Sequence, residues 1–148
     1  MTDPNREVIA EFRANSGSVT RAMGGALAHL DLLLLHHRGR RSGKAYTTPV
    51  AYMPYQDGYL LLGSYAGASA EPQWVENLEN ATELTVEVGI RFRTMTAVVL
   101  RAGPQRDRLY GIAREHWPFV ADYEKRTCRP FPVVQLSPLD GQPAGVLP

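Results

Sequence analysis

The sequence predicts a mainly β chain with added helices, an α+β fold whose sheet curls into a small closed or split barrel of about six antiparallel strands. Three observations lead there. Strand-like segments follow one another at hairpin spacing, as at residues 46–55, "YQDG" and residues 59–64, which makes neighbours antiparallel. Residues 32–35 are leucines without alternation, the pattern of a strand buried on both faces. The element order is helix, three strands, short helix, two strands, helices and strand, which leaves the helices to plug the barrel ends and rim.

The elements follow in chain order. Asp3 reads as an N-cap and Pro4 as the first helical residue. Val8, Ile9 and Phe12 recur at helical spacing and Gly17 closes the helix. "GSVTRAMGGALAHL" reads as irregular and able to move, so residues 1–28 form an N-terminal helix and mobile segment. Residues 30–38 are the doubly buried strand and "GRRSGK" is a turn. Residues 46–55 are rich in Tyr, Thr and Val, with Pro49 at a bulge or edge. "YAGASAE" is a small-residue loop, and Pro72 opens the helix "PQWVENLEN", with Trp74, Val75 and Leu78 inward. Residues 84–88 and 92–101 form a hairpin about Gly89, with Arg91, Arg93 and Arg101 on its outer face. "GPQRDRLYGIAREHW" is an amphipathic helix with Leu109, Ile112, Ala113 and His116 on one stripe. A helical piece at 117–127 and the strand "PFPVVQL" complete the chain.

At 148 residues, residues 1–148 are expected to form one domain with a proper core. Hydrophobic residues make up 44% and charged ones 21%, with a net charge of +1; this balance belongs to an ordinary globular protein and argues against a nucleic-acid partner. With Cys128 alone no intrachain disulfide forms. "MTDPNREVIAEF" lacks an apolar signal core, and no apolar run is long enough to span a bilayer. The expected location is cytoplasmic.

Against that balance the turn after the leucines stands out: Arg38, Arg40, Arg41 and Lys44 surround Ser42 and Gly43. Arginine forks and outward backbone N–H groups match phosphate or carboxylate oxygens. The turn reads either as an anion cradle or as a solvated hairpin tip. His36 and His37 alternate across a strand, so they cannot jointly face one metal, and no metal site is expected. Cys128 has no evident partner base, which makes it a bystander thiol rather than a nucleophile.

"LLLL..RGRRSGKAYTTPVAYM", "GYLLLGSYAG....PQWVENLENATELTVEVG" and "FVADYEKRTCRPFPVVQL", in this order, resemble the deazaflavin-dependent nitroreductase family of actinobacterial oxidoreductases over nearly the whole chain. The resemblance implies a split β-barrel of the FMN-binding-split-barrel type. It also implies coenzyme F-420, an 8-hydroxy-5-deazaflavin whose tail carries a phosphate and glutamates. Family members pass a hydride from the reduced coenzyme to a small electrophilic acceptor, an activated alkene, quinone or nitro compound. The tail-binding role carries over onto Arg40, Arg41, Ser42, Gly43 and Lys44. The ring-binding role falls on Thr48, Pro49, Val50, Gly63, Ser64, Ala66, Gly67 and Ala68, with Trp74 nearby. Tyr123 aligns with a pocket tyrosine able to give a proton, and Ser64 is able to orient the ring or substrate. Each has a packing alternative: Tyr123 as a helix-to-barrel contact, Ser64 as a strand-end serine, Trp74 as core.

Departures from the family pattern narrow the expected chemistry. Relatives commonly have "SKGG" where Ser64-Tyr65-Ala66-Gly67 stands, and cations near Tyr46 and Ala70. Trp117 and Val120 replace tyrosines of the nitroreductase type, which predicts poor nitroimidazole reduction and a flatter, apolar acceptor. An FMN-using split-barrel reductase and a non-catalytic carrier of a lipid or other small molecule are the alternatives. Expected partners are a small-molecule substrate and, in a homodimer, a second copy; a monomer is the other option. The N-terminal helix is a candidate for peripheral membrane contact.

Overall fold

The computed structural model describes residues 4–139. Its organising strand is β1 (Leu32–Arg38), which pairs antiparallel with β2 (Ala45–Ala51) on one side and β5 (Leu84–Val88) on the other. Successive side chains on a strand point to opposite faces. Leu33 and Leu35 therefore enter the barrel core, while Leu32 and Leu34 lie beneath α1 (Pro4–Ala14) with Val8 and Phe12. Both faces need leucine, and this is why the run does not alternate. Since α1 spends Val8 and Phe12 on this contact, and Ile9 packs beside them, the idea that this helix meets a membrane gains no support. Asp3, the expected N-cap, lies outside the described residues.

The remaining strands are β3 (Met53–Tyr55), β4 (Gly58–Leu62), β6 (Arg91–Leu100) and β7 (Val133–Pro138). The order β2-β1-β5-β6-β7-β4-β3 makes one sheet of seven strands, and every pairing is antiparallel. Its two end strands, β2 and β3, are separated in sequence by Tyr52 alone, so the sheet curls back until its edges are contiguous. The expectation of about six strands becomes seven because residues 46–55 break at Tyr52. There the backbone N–H donates to the Asp31 carbonyl at 3.0 Å, and the chain changes partner from β1 to β4. Pro49 lies in β2, which pairs on one side only, the position where a strand proline is tolerated.

Helices cover the barrel as expected. Trp74, Val75 and Leu78 of α2 (Gln73–Glu79) join the inner core. On the outside, Leu109 and Ala113 of α3 (Pro104–His116), Trp117, and Val120 of α4 (Val120–Glu124) pack on Leu60, Leu62, Phe131 and Val133. The buried stripe of α3 thus continues through Leu109, Ala113 and Trp117, at i, i+4 and i+8; His116 is exposed. The second helical piece is also shorter than residues 117–127.

One arginine of the β5–β6 hairpin region departs from the expected outer decoration, while Arg101 is exposed as expected. Arg93 is 1% exposed and donates from Nη1 to the Tyr59 hydroxyl at 2.9 Å. Arg101 bridges two carboxylates, Glu71 at 2.9 Å and Glu79 at 2.6 Å. The segment expected to be mobile is anchored at residues 20–22. Glu11 accepts the backbone N–H groups of Thr20, Arg21 and Ala22 at 2.8, 3.0 and 2.7 Å.

The closest approach in the sheet is at Gly58, where an added Cβ would stand 1.8 Å from the Leu136 carbonyl oxygen. Gly58→Ala is expected to cost about 3 kcal/mol or more. Gly24→Ala meets no atom within 4 Å but keeps a φ of +67°, so it should cost about 1–2 kcal/mol. Equal losses in chemical denaturation would contradict the close-approach account.

Candidate functional site

A cavity of about 900 Å³ opens beside the barrel. One wall is β2, through Thr48, Pro49 and Val50; another is the loop bearing Ser64, Tyr65 and Ala66. Trp74 of α2 also lines it, and Trp117, Phe119, Val120 and Tyr123 line it from in and around α4. Met23 and Leu27 border it from the segment that Glu11 anchors. Most of these walls are apolar, which suits a flat hydrophobic ligand held by a few polar groups.

Residues 65–67 carry the unusual backbone of the site. Tyr65, Ala66 and Gly67 have φ values of 46°, 52° and 80°, three consecutive residues in a region costly for side-chain-bearing residues. At Gly67 glycine is required outright, since a Cβ would meet the Tyr123 carbonyl oxygen at 2.6 Å. The loop is held from outside by two arginines. Arg129 donates to the carbonyls of Gly63 (3.0 Å), Ser64 (2.9 Å) and Ala68 (3.0 Å). Arg126 donates to the Ala66 carbonyl at 2.9 Å. A guanidinium fork bonded to carbonyls on both sides of a left-handed turn fixes that turn without occupying the cavity.

The expected site residues divide accordingly. Thr48, Pro49, Val50, Ser64, Ala66, Trp74 and Tyr123 line the cavity. Gly63, Gly67 and Ala68 support the loop instead: Gly63 packs against Pro132 and Val75, and Gly67 against α4. Trp74 serves both readings, as a member of the inner core and a cavity wall. The Tyr123 ring meets Phe119 edge-on at 5.4 Å and lies under Arg126. Its hydroxyl has no hydrogen-bond partner among the described residues.

The basic turn lies at the cavity's margin rather than in its wall. Tyr46 lines the cavity, and Lys44 Nζ lies 5.5 Å from its ring centre. Arg40 is ion-paired to Glu76 of α2, so its charge is already partnered. Arg41 is exposed. The turn is locked by its own backbone: the Gly39 N–H donates to Lys44 O at 2.9 Å, and the Lys44 N–H to Ser42 Oγ at 3.1 Å.

The two histidines point to opposite faces, as strand geometry requires. His36 Nε2 meets Glu87 Oε2 at 2.5 Å, and Arg13 reaches the same carboxylate at 2.8 Å. Burial works to raise Glu87, but Arg13 and His36 hold it below the usual carboxylate range. His37 borders the cavity, stacked on Tyr46 with ring centres 5.5 Å apart. It lies 2.8 Å from Thr48 Oγ1 and 2.9 Å from Asn77 Nδ2. Burial first, and neighbouring His36 second, lower its pKa from 6.5 to about 4. His37, Tyr46, Asn77 and Arg129 were not among the expected site residues. The cross-strand pairing of His37 with Tyr46 was recoverable only from an exact strand register; Arg129 carried no local signal.

The curled antiparallel sheet of seven strands, with a cavity on its flank, is a split barrel. The chain belongs to the F420H(2)-dependent quinone reductase family, whose model matches residues 5–138. It is 32% identical over 130 residues to the F420H(2)-dependent quinone reductase Rv1261c of Mycobacterium tuberculosis, covering 86% of this chain and 85% of the relative. Among solved structures it resembles the F420-H2 dependent reductase FDR-A, with a TM-score of 0.62 and 26% identity over 72% of this chain and 93% of that one. A chain solved as a domain-swapped dimer shares the fold, with a TM-score of 0.64 at 23% identity over 91% of this chain and all of the other.

The His37 shift sets a pH dependence. A histidine with a folded pKa below its unfolded one leaves the unfolded state holding the extra proton, so stability falls as pH drops. The loss should run from about pH 6.5 towards pH 4 and reach about 3 kcal/mol. His37→Phe should remove that part of the slope in denaturation curves taken across this range; an unchanged slope would mean that His37 is not held neutral.

Proposed function

We propose that this chain, acting as a single domain, is an oxidoreductase that binds reduced coenzyme F-420 in the flank cavity and delivers a hydride to a small electrophilic acceptor. The observation that carries the reading is the juxtaposition, in a member of this family, of a large apolar-walled cavity with a cationic turn at its margin. A ligand with a flat ring and an anionic tail needs both at once. The residues present fit such a group: β2 offers a wall, the left-handed loop brings backbone close, and exposed Arg41 with Lys44 offers charge for the tail. Arg40, tied to Glu76, contributes less than its position in the motif suggests.

When bound, the reduced deazaflavin supplies the hydride. The chain's own part is to position the ring, exclude water and furnish a proton. Tyr123, bordering the cavity with its hydroxyl free of hydrogen-bond partners among the described residues, is the proton donor in this reading. Trp117 and Val120 are 6% and 1% exposed and apolar, which favours a quinone or activated alkene over a nitro group. A nitro group needs donors for its developing charge, and each such donor is worth about 2.7–4 kcal/mol in a dry site. A homodimer is compatible with the reading, and so is a monomer.

Side-by-side titration with coenzyme F-420, FMN and a fatty acid tests the cofactor. Coenzyme F-420 should bind, weakening as salt rises. Arg41→Ala should weaken it about threefold to fivefold at low salt, against no change for Arg108→Ala on the exposed face of α3. Preference for FMN or fatty acid would replace this reading with the corresponding alternative. For the chemistry, Tyr123→Phe should lower quinone turnover about a hundredfold with coenzyme affinity intact. Unchanged turnover would make water the proton source, and efficient nitroimidazole reduction by the unmodified protein would refute the acceptor assignment.

A further inference from the structure

A hydrogen-bond relay runs from the basic turn to the cavity wall, and its direction can be deduced. The Arg40 backbone N–H lies 3.1 Å from Asn77 Oδ1. A backbone N–H only donates, so this side of Asn77 accepts and its Nδ2 faces His37 as donor. His37 Nδ1, 2.9 Å away, must therefore accept. A neutral imidazole carries one proton, which then resides on Nε2 and is donated to Thr48 Oγ1 at 2.8 Å. The Thr48 hydroxyl, already accepting, retains its own hydrogen. It has no other side-chain hydrogen bond among the described residues and it borders the cavity.

We propose that His37 is a positioning residue that occupies one lone pair of the Thr48 hydroxyl and leaves its hydrogen to be donated into the cavity, so that the cavity favours a ligand with an acceptor atom, a carbonyl oxygen or an unprotonated ring nitrogen, opposite Thr48. Asn77 sets the tautomer, and the Arg40 backbone sets Asn77. A ligand N–H at the same place could bond only if the hydroxyl hydrogen swung aside to free the oxygen's second lone pair, leaving that hydrogen without a side-chain acceptor among the described residues, a poorer contact than the one a ligand acceptor makes. That the ligand is coenzyme F-420 rests on the function proposed above; the orientation of the hydroxyl does not.

Nitrogen-15 NMR of the ligand-free protein at neutral pH should show His37 with a pyrrole-like Nε2 and a pyridine-like Nδ1; the opposite tautomer overturns the proposal. Thr48→Val should weaken coenzyme F-420 binding roughly tenfold and Thr48→Ser should restore it. His37→Phe should weaken binding by a similar roughly tenfold factor in the wild-type background and have no further effect in Thr48→Val. Additive losses in the two backgrounds, or full affinity in Thr48→Val, overturn it. Should His37→Phe not fold, the ring nitrogens of the wild-type protein and the Thr48 pair still decide. A wild-type protein that binds no coenzyme refutes the function while leaving the tautomer to judge the relay.

Discussion

Burying one strand on both faces is the constraint from which the rest of this molecule follows. With Leu33, Leu34 and Leu35 wholly removed from water, β1 must have a barrel interior on one side and a covering helix on the other. Each such leucine contributes about 1.5–3 kcal/mol relative to exposure, so neither face can be surrendered. The strand then runs out of leucine at His36 and His37, and the alternation that sorted the leucines sorts the histidines. One goes to the Glu87–Arg13 cluster beneath α1 and the other to the cavity. The basic turn sits where it does because β1 ends there.

The cavity is shaped by a different device. Its loop holds three left-handed residues in a row, two of which are not glycine, and their intrinsic cost is of order 1–3 kcal/mol each. Arg129 and Arg126 offset that cost through bonds to four carbonyls of residues 63–68. This wall of the cavity is therefore maintained by two arginines that are not part of its lining. Pre-organising the loop from behind keeps the clamping guanidiniums out of the cavity lining.

The leucine run, the hairpin spacings and the α2 stripe were legible because each is a local period with one physical meaning. The resemblance to split-barrel reductases was equally legible because its motifs lie in a fixed order. Positions whose role depends on a partner far along the chain were not. Arg93 looks like a surface cation until Tyr59 is placed beside it inside the barrel. His116 fits the α3 stripe by spacing, yet the helix ends there and Trp117 takes the buried position. Arg40 reads as a free cation within its turn and becomes half of an ion pair once α2 packs alongside. Among the cavity residues, those on β2 and the loop followed from the motif. Asn77 and Arg129, which stand behind the lining, did not, since each acts across dozens of residues on groups that sequence leaves unpaired.

Strand β7 lies between β6 and β4 and pairs with both, although it is the last strand of the described chain. During synthesis the two neighbours it will join have already emerged, each with an open hydrogen-bonding edge. Without residues 133–138 the remaining strands pair as two unjoined pieces, β2-β1-β5-β6 and β4-β3, and an exposed edge is a template for pairing with another chain. The sheet therefore cannot be continuous until its final strand is in place. Arg129, four residues before that strand, carries the clamp on the cavity loop, so one short stretch of chain both completes the sheet and braces the cavity wall.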